Sequence, residues 1–221
     1  MGDLIFRNND NQDWINLIFL MNLFYISGMF FLDPIRLKRM IKFYAIDFYI
    51  SKHVSEKNLN YLSFFNILSF LIILNTICLL IVSFSNFSNE VVVFYFEFYY
   101  LLGILIIFLS GRFLIIKFIS KQIKEIGRLK IFYFKSFTHH VQFALFLLII
   151  LFCDFNSSLS SDIFIKTYCF IGFLWFIFQS RIIISLFNSK PKEVLYIILY
   201  LCTLKFIPWY WFYLIAVESM L

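Results

Sequence analysis

Long apolar runs separated by short polar segments dominate the chain. A helix of about 20 apolar residues crosses the roughly 30 Å hydrocarbon core of a bilayer. The runs are continuous and do not alternate with polar residues at every second position, which favours helices over the strands of a membrane barrel. The pattern predicts six transmembrane helices, at residues 14–32, 61–84, 91–116, 134–153, 163–187 and 194–217.

Composition agrees with this pattern. Of the 221 residues, 62% are hydrophobic and 23% are aromatic, which is more apolar material than a water-soluble domain needs. The segments between the spans are too short for a separate extramembrane domain. We therefore predict an all-α integral membrane protein with a single membrane domain over residues 1–221, its six spans arranged as three helical hairpins.

Positive charges indicate the orientation of the spans. Lys and Arg concentrate in residues 33–60 and 117–133, whereas residues 86–90, 154–162 and 218–221 contain none. The positive-inside rule places the basic segments in the cytoplasm and both termini on the periplasmic side. The net charge of +6 is then a topology signal and does not indicate a nucleic-acid partner. The N-terminus lacks the features of a cleaved secretory signal, so we expect an uncleaved signal anchor.

Residues 33–60 begin with a predicted amphipathic helix. Asp33 can cap it and Pro34 suits its first position. Apolar residues then recur at helical spacing, at Leu37, Met40, Ile41, Tyr44 and Phe48. The neighbouring cations Arg36, Lys38 and Arg39 favour a helix on the inner leaflet that contacts lipid or a partner. A solvated loop that only sets topology is the alternative.

The third and fifth spans share a pattern. Four residues of the third span recur in the fifth at an offset of 69: Tyr99, Gly103, Arg112 and Phe118 match Tyr168, Gly172, Arg181 and Phe187. The match favours a parallel repeat, although chance agreement between Phe-rich helices is the alternative. We also expect the third span to continue as a helix into the cytoplasm until Gly127 ends it.

Three charged residues within the apolar runs form a predicted intramembrane cluster: Glu97, Lys166 and Lys205. The offset of 69 pairs Glu97 with Lys166, and an ion pair would reduce the cost of a carboxylate in hydrocarbon. Lys205 lies at a similar depth in the last span, beside a helix bend predicted at Pro208. Snorkelling of Glu97 and Lys166 to the membrane surface is the alternative.

Arg112 and Arg181 lie about 15 residues further along their helices than the charged pair, or roughly 22 Å at the rise of an α-helix. This distance brings both to the inner membrane interface. There they can bind lipid phosphate groups or the carboxylates of a partner subunit.

Catalytic chemistry is not indicated. Glu97 is the one acid that the predicted spans place well inside the membrane, and no phosphate loop or nucleophile elbow occurs. The adjacent His139 and His140 point about 100° apart on a helix, so one metal ion would not readily bind both. Haem ligation by one of them stays an open alternative. The four cysteines all fall in predicted spans and have no metal-binding spacing, so we expect buried, inert thiols, no cofactor and no enzyme.

The segments "LYIILYLCTLKFIP" and "YYLLGILIIFLSGRFLIIKF" resemble a multi-spanning inner-membrane family of Bacteroidota known as domain of unknown function 4271. The resemblance covers nearly the whole chain. It implies a Gram-negative inner membrane and lends no activity.

Taken together, these patterns favour a non-enzymatic accessory or scaffold subunit of a larger membrane complex, with protein translocation, insertion or secretion as the expected process. Its partners would be the lipid bilayer and other inner-membrane subunits, and no small-molecule substrate can be identified. The alternative is a small transporter or ion-conducting bundle that uses Glu97, Lys166 and Lys205.

Overall fold

A computed structural model describes residues 13–42, 63–87, 95–122, 127–157, 161–189 and 210. These residues form six helices: α1 (Asp13–Leu32), α2 (Pro34–Ile41), α3 (Phe64–Phe87), α4 (Tyr95–Gln122), α5 (Gly127–Asn156) and α6 (Ser161–Ser189). No strand occurs in these ranges. The all-helical prediction is confirmed for this part of the chain.

Four of the helices are long and apolar enough to cross a membrane, at Asp13–Leu32, Phe64–Phe84, Phe134–Asn156 and Asp162–Ile182. They agree with the first, second, fourth and fifth predicted spans. The third predicted span lies in α4, where the residues with described side chains, Phe98–Gly111, form an apolar segment. The sixth predicted span, residues 194–217, lies outside the described residues except for Tyr210.

α3 is the central helix of the described bundle. Its main neighbours are α1, α4 and α5, and α5 also packs against α6. Within the described residues α4 packs mainly against α3. The predicted arrangement as three hairpins is not confirmed. The buried residues of α4 are Phe98, Leu101 and Leu105. They recur at helical spacing and form one narrow buried stripe, which agrees with packing mainly against one neighbouring helix.

α2 follows α1 almost directly. The Asp33 side chain accepts a hydrogen bond from the Arg36 backbone N–H at 2.8 Å, and Pro34 occupies the first turn, so the predicted cap is confirmed. Leu37 and Met40 of the predicted apolar stripe are buried against the bundle, whereas the sequence predicted a helix lying on the inner leaflet. Ile41, the last residue of the helix, is exposed. Tyr44 and Phe48 lie outside the described residues.

Two further expectations differ from the structure. α4 extends beyond the third span to Gln122, and Gly127 is the first residue of α5 and does not end α4. Of the cysteines, Cys78 is buried, whereas Cys153 and Cys169 are exposed on the outside of the bundle. A thiol tolerates a lipid-facing position as well as a packed one, so the apolar context did not fix which side it faces. Cys202 lies outside the described residues.

The matching positions of the third and fifth spans do not occupy matching environments. Tyr99 is 43% exposed, whereas Tyr168 is 4% exposed. Gly103 and Gly172 both face open space. Although α4 and α6 share this residue spacing, they do not turn the same face toward the bundle.

α1 approaches α3 closely at Gly28, where a Cβ atom would lie 3.1 Å from Leu68 Cδ1. Replacing Gly28 by Leu is expected to destabilise the bundle by about 1–3 kcal/mol, because the larger side chain overpacks this interface. The matched control is Gly103→Leu, where nothing lies within 4 Å of the added atom. Thermal denaturation in detergent should show a lower midpoint for the Gly28 variant only, and equal midpoints would contradict the close approach.

Candidate functional site

A carboxyl group joins three helices at one end of the bundle. Asp154 Oδ2 on α5 accepts hydrogen bonds from Ser83 Oγ of α3 at 2.6 Å and from Tyr168 OH of α6 at 2.8 Å. The Tyr168 ring also packs against Phe84, with ring centroids 5.8 Å apart. We call Asp154, Ser83 and Tyr168 the Asp154 cluster, and the end of the bundle that contains it the Asp154 end.

The Asp154 cluster was missed from the sequence. Asp154 was assigned to an outer loop at residues 154–162, whereas α5 continues to Asn156 and holds the half-buried carboxyl group against its neighbours. Asp154 is therefore a second acid within the apolar helices, in addition to Glu97. The sequence does contain a signal for this position. In "LFCDF" the hydrophobic run continues past Asp154, which indicates that the helix extends beyond it.

A second polar group lies between α5 and α6, near the opposite end. Ser136 Oγ donates to Gln179 Oε1 at 3.0 Å, and Gln179 Nε2 lies 3.4 Å from His140 Nδ1. The His140 ring meets Trp175 edge-on at 5.5 Å. Gln179 is buried, so these contacts satisfy an amide that would be costly to leave unpaired between helices.

His139 has different partners from His140. Its Nδ1 lies 3.2 Å from Gln142 Oε1, and the Gln142 amide donates to the backbone carbonyl of Met40 in α2. Both His139 and Gln142 are buried. The contact between Gln142 and Met40 joins α2 to α5. His139 and His140 therefore have different structural environments. We call the end that carries α2 the α2 end of the bundle.

A pair of asparagines connects α1 and α3 between the two ends. Asn75 Nδ2 donates to Asn22 Oδ1 at 3.4 Å, and Asn22 Nδ2 donates to the Ile18 carbonyl at 2.9 Å. Both side chains are buried. Thr76, next to this pair, donates to the Ile72 carbonyl of its own helix. Between Thr76 and Ser83 the core is apolar for roughly 10 Å along α3. The side chains that fill this layer belong to one buried cluster and are Cys78, Leu79, Val82, Leu148 and Leu151.

The described residues do not test the predicted charge cluster, because only one of its three side chains, Lys166, is described. Lys166 is exposed on α6, two residues before Tyr168. Glu97 belongs to α4 and precedes Phe98, whose ring lies 5.4 Å from that of Trp14, but the Glu97 side chain lies outside the description. Lys205 and Pro208 also lie outside it. The ion pair between Glu97 and Lys166 therefore stays a prediction.

The predicted interfacial cations divide into two kinds. Arg36 points into the bundle, where Nη2 donates to Asn66 Oδ1 at 2.7 Å and the guanidinium carbon lies 4.2 Å above the Phe65 ring. Lys38 and Arg181 are exposed and Arg39 is partly exposed. Arg112 belongs to α4, and its side chain is not described. Among the described residues, no group of three or more His, Cys, Asp or Glu side chains could hold a metal ion.

The fold indicates a class of protein, a helical membrane protein with several apolar helices. The chain belongs to the family described as a domain of unknown function, DUF4271, whose model matches residues 15–215. This match confirms the resemblance found from the sequence. No curated protein and no solved structure matches the chain.

Proposed function

We propose that this protein is a non-catalytic accessory or scaffold subunit of a larger membrane complex. The proposed location is the inner membrane of a Gram-negative bacterium of the Bacteroidota, with six spans and both termini in the periplasm. Protein translocation, insertion or secretion is the proposed process, by analogy with small membrane-embedded subunits of such machines.

One observation carries the proposal. Several polar side chains inside the described bundle connect one helix to another, in the Asp154 cluster, the Asn22–Asn75 pair, and the contacts of Gln142 and Gln179. Others, such as Thr76 and Thr138, bond to a carbonyl of their own helix. In the described part, Ser157 Oγ is the one buried polar side-chain atom without a hydrogen-bond partner. Polar groups used in this way hold helices in a fixed arrangement, which suits a rigid support.

The outer surface supports the same proposal. α1 and α6 turn large apolar side chains away from the bundle, among them Phe24, Phe31, Phe170 and Phe173. In a membrane such side chains pack against lipid or against the helices of other subunits, and van der Waals contact is the main attraction in either case. This exposed apolar surface on α1 and α6 could contact the helices of several neighbouring subunits.

The alternative is a small transporter or a bundle that conducts protons or ions. The observation in its favour is Asp154, a second acid held between helices beside the hydroxyl groups of Ser83 and Tyr168. Acids between membrane helices often belong to proton pathways. The apolar layer between Thr76 and Ser83 opposes this alternative, because water and ions would have to cross roughly 10 Å without an oxygen- or nitrogen-bearing side chain from α3.

Purification in mild detergent followed by native mass spectrometry tests the proposal. We expect other membrane proteins at a fixed stoichiometry with the tagged chain, and we expect Lys205→Leu to remove at least one of them. Lys205 lies in an apolar run, so a carboxylate from another chain would reduce the cost of its charge. The matched control is Lys192→Leu in the short basic turn before that run, which should keep every partner.

A chain that purifies alone would contradict the scaffold. If liposomes that contain the chain also take up protons or ions in a pH-dependent way, the transport alternative is correct. If Lys205→Leu keeps every partner, the last run is not the docking surface, whatever the partners are.

A further inference from the structure

One face of α6 is turned away from the bundle. The helix packs mainly against α5, and its buried residues, among them Phe164, Tyr168 and Ile171, lie on one side. On the opposite side five exposed residues recur every three or four positions, which is the spacing of a single helix face. We call these residues the outward face of α6: Lys166, Phe170, Phe173, Ile177 and Arg181.

The outward face of α6 has a cation at each end and apolar side chains between them. Phe170 and Phe173 are each 61% exposed. Within the described part of the chain, neither Lys166 nor Arg181 has a hydrogen-bond or ion-pair partner. Both cations can therefore bind a group from outside the bundle without breaking a contact inside it.

The separation of the two cations fits the thickness of a membrane. Lys166 and Arg181 lie about 15 residues apart in the candidate span Asp162–Ile182, or roughly 22 Å along the helix. A long cationic side chain extends toward the nearer membrane surface and keeps its charge out of the hydrocarbon. When the two side chains extend in opposite directions, their charges are farther apart than their Cα atoms and approach the roughly 30 Å of the hydrocarbon core.

A bilayer supplies anionic groups at both of these levels, because phospholipid phosphates lie at both of its surfaces. A partner helix would need two carboxylates with the same separation. A second copy docked in parallel through this face would place Arg181 opposite its own counterpart, and Asp162, the one acid of α6, lies at the other end of the helix. Charge complementarity therefore favours lipid over protein as the occupant.

We infer that lipid covers the outward face of α6, with Lys166 and Arg181 each binding the phosphate of an anionic phospholipid in opposite leaflets. The apolar side chains between them contact the acyl chains. Lys166 then extends to the membrane surface and does not pair with Glu97. This inference does not depend on the proposed scaffold, but it places the docking of subunits elsewhere. α1 offers such a surface, because residues 14–32 contain no charge.

The test uses the full chain, titrated with phosphatidylglycerol or phosphatidylcholine in detergent, with bound lipid counted by native mass spectrometry. We expect Lys166→Gln and Arg181→Gln each to weaken the binding of one phosphatidylglycerol molecule by about fivefold, and the double variant to weaken two. Binding of phosphatidylcholine should change less. The matched controls are Lys166→Arg and Arg181→Lys, which keep the positive charge and should bind phosphatidylglycerol like the wild type.

Two further arms separate the possible occupants. Inorganic phosphate at the same concentration should not compete, and equal competition would show sites for a free anion and overturn the lipid assignment. A photo-crosslinking residue in place of Phe173, at the middle of the face, should label lipid in cells. A protein adduct at that position would show that a subunit covers the face and would overturn the inference, as would unchanged phosphatidylglycerol binding by the double variant.

Discussion

Replacing Asp154 by Ala is expected to lower the free energy of unfolding by about 2–4 kcal/mol. The variant removes the acceptor of two short hydrogen bonds and leaves Ser83 Oγ and Tyr168 OH without this partner between helices. Because Asp154 is only half-buried, each of its two hydrogen bonds is expected to contribute about 1–2 kcal/mol. The loss should affect the contacts among α3, α5 and α6 together.

Equilibrium unfolding in mixed micelles with increasing sodium dodecyl sulfate measures this effect. Asp154→Asn keeps an acceptor oxygen and should cost less than Asp154→Ala. The matched control is Asp162→Asn, a nearby exposed acid in the first turn of α6, which should behave like the wild type.

A double-mutant cycle separates the two donors. Ser83→Ala and Tyr168→Phe should each cost about 1 kcal/mol alone and very little in the Asp154→Ala background, because their common acceptor is then absent. Costs that simply add would show that the three side chains do not act together, and the Asp154 cluster would not hold the helices.

Replacing Ile72 by Ala is expected to cost roughly 2 kcal/mol, at the low end of the range for Ile→Ala in protein cores. Ile72 is 0% exposed on α3, the central helix of the described bundle. In a membrane the surrounding lipid is also apolar, so the loss comes from the cavity and the missing contacts and not from transfer out of water.

Ile67→Ala on the same helix is the matched control, since Ile67 is 39% exposed. The same unfolding experiment should show a clearly smaller change there, because lipid chains can fill the space that the side chain leaves. Equal losses of unfolding free energy in the two variants would contradict the assignment of α3 as the central helix of the described bundle.

Sequence alone predicted a large part of this fold. Continuous apolar runs specify helices because a backbone in hydrocarbon must satisfy its own polar groups, and run length specifies which helices can cross. Four spans were located to within a few residues, and the Asp33 cap was also correct. Each of these features depends on residues that are close together in the sequence.

The partners of individual side chains could not be predicted in the same way. Lipid and protein interiors are both apolar, so hydrophobic pattern does not distinguish a residue that faces lipid from one that faces another helix. Cys78 is buried while Cys153 and Cys169 are exposed, although all three lie in apolar runs. Tyr99 and Tyr168 occupy matching positions in sequence and different environments in the bundle.

What the sequence by itself determined is an all-helical membrane protein, the extent of its main apolar helices, and membership of the DUF4271 family. The tertiary structure decided that α4 packs against α3 and that Asp154 joins three helices. The physical reason is that a helix forms from bonds within one segment, whereas Ser83, Asp154 and Tyr168 lie far apart in sequence and meet only after the helices have packed.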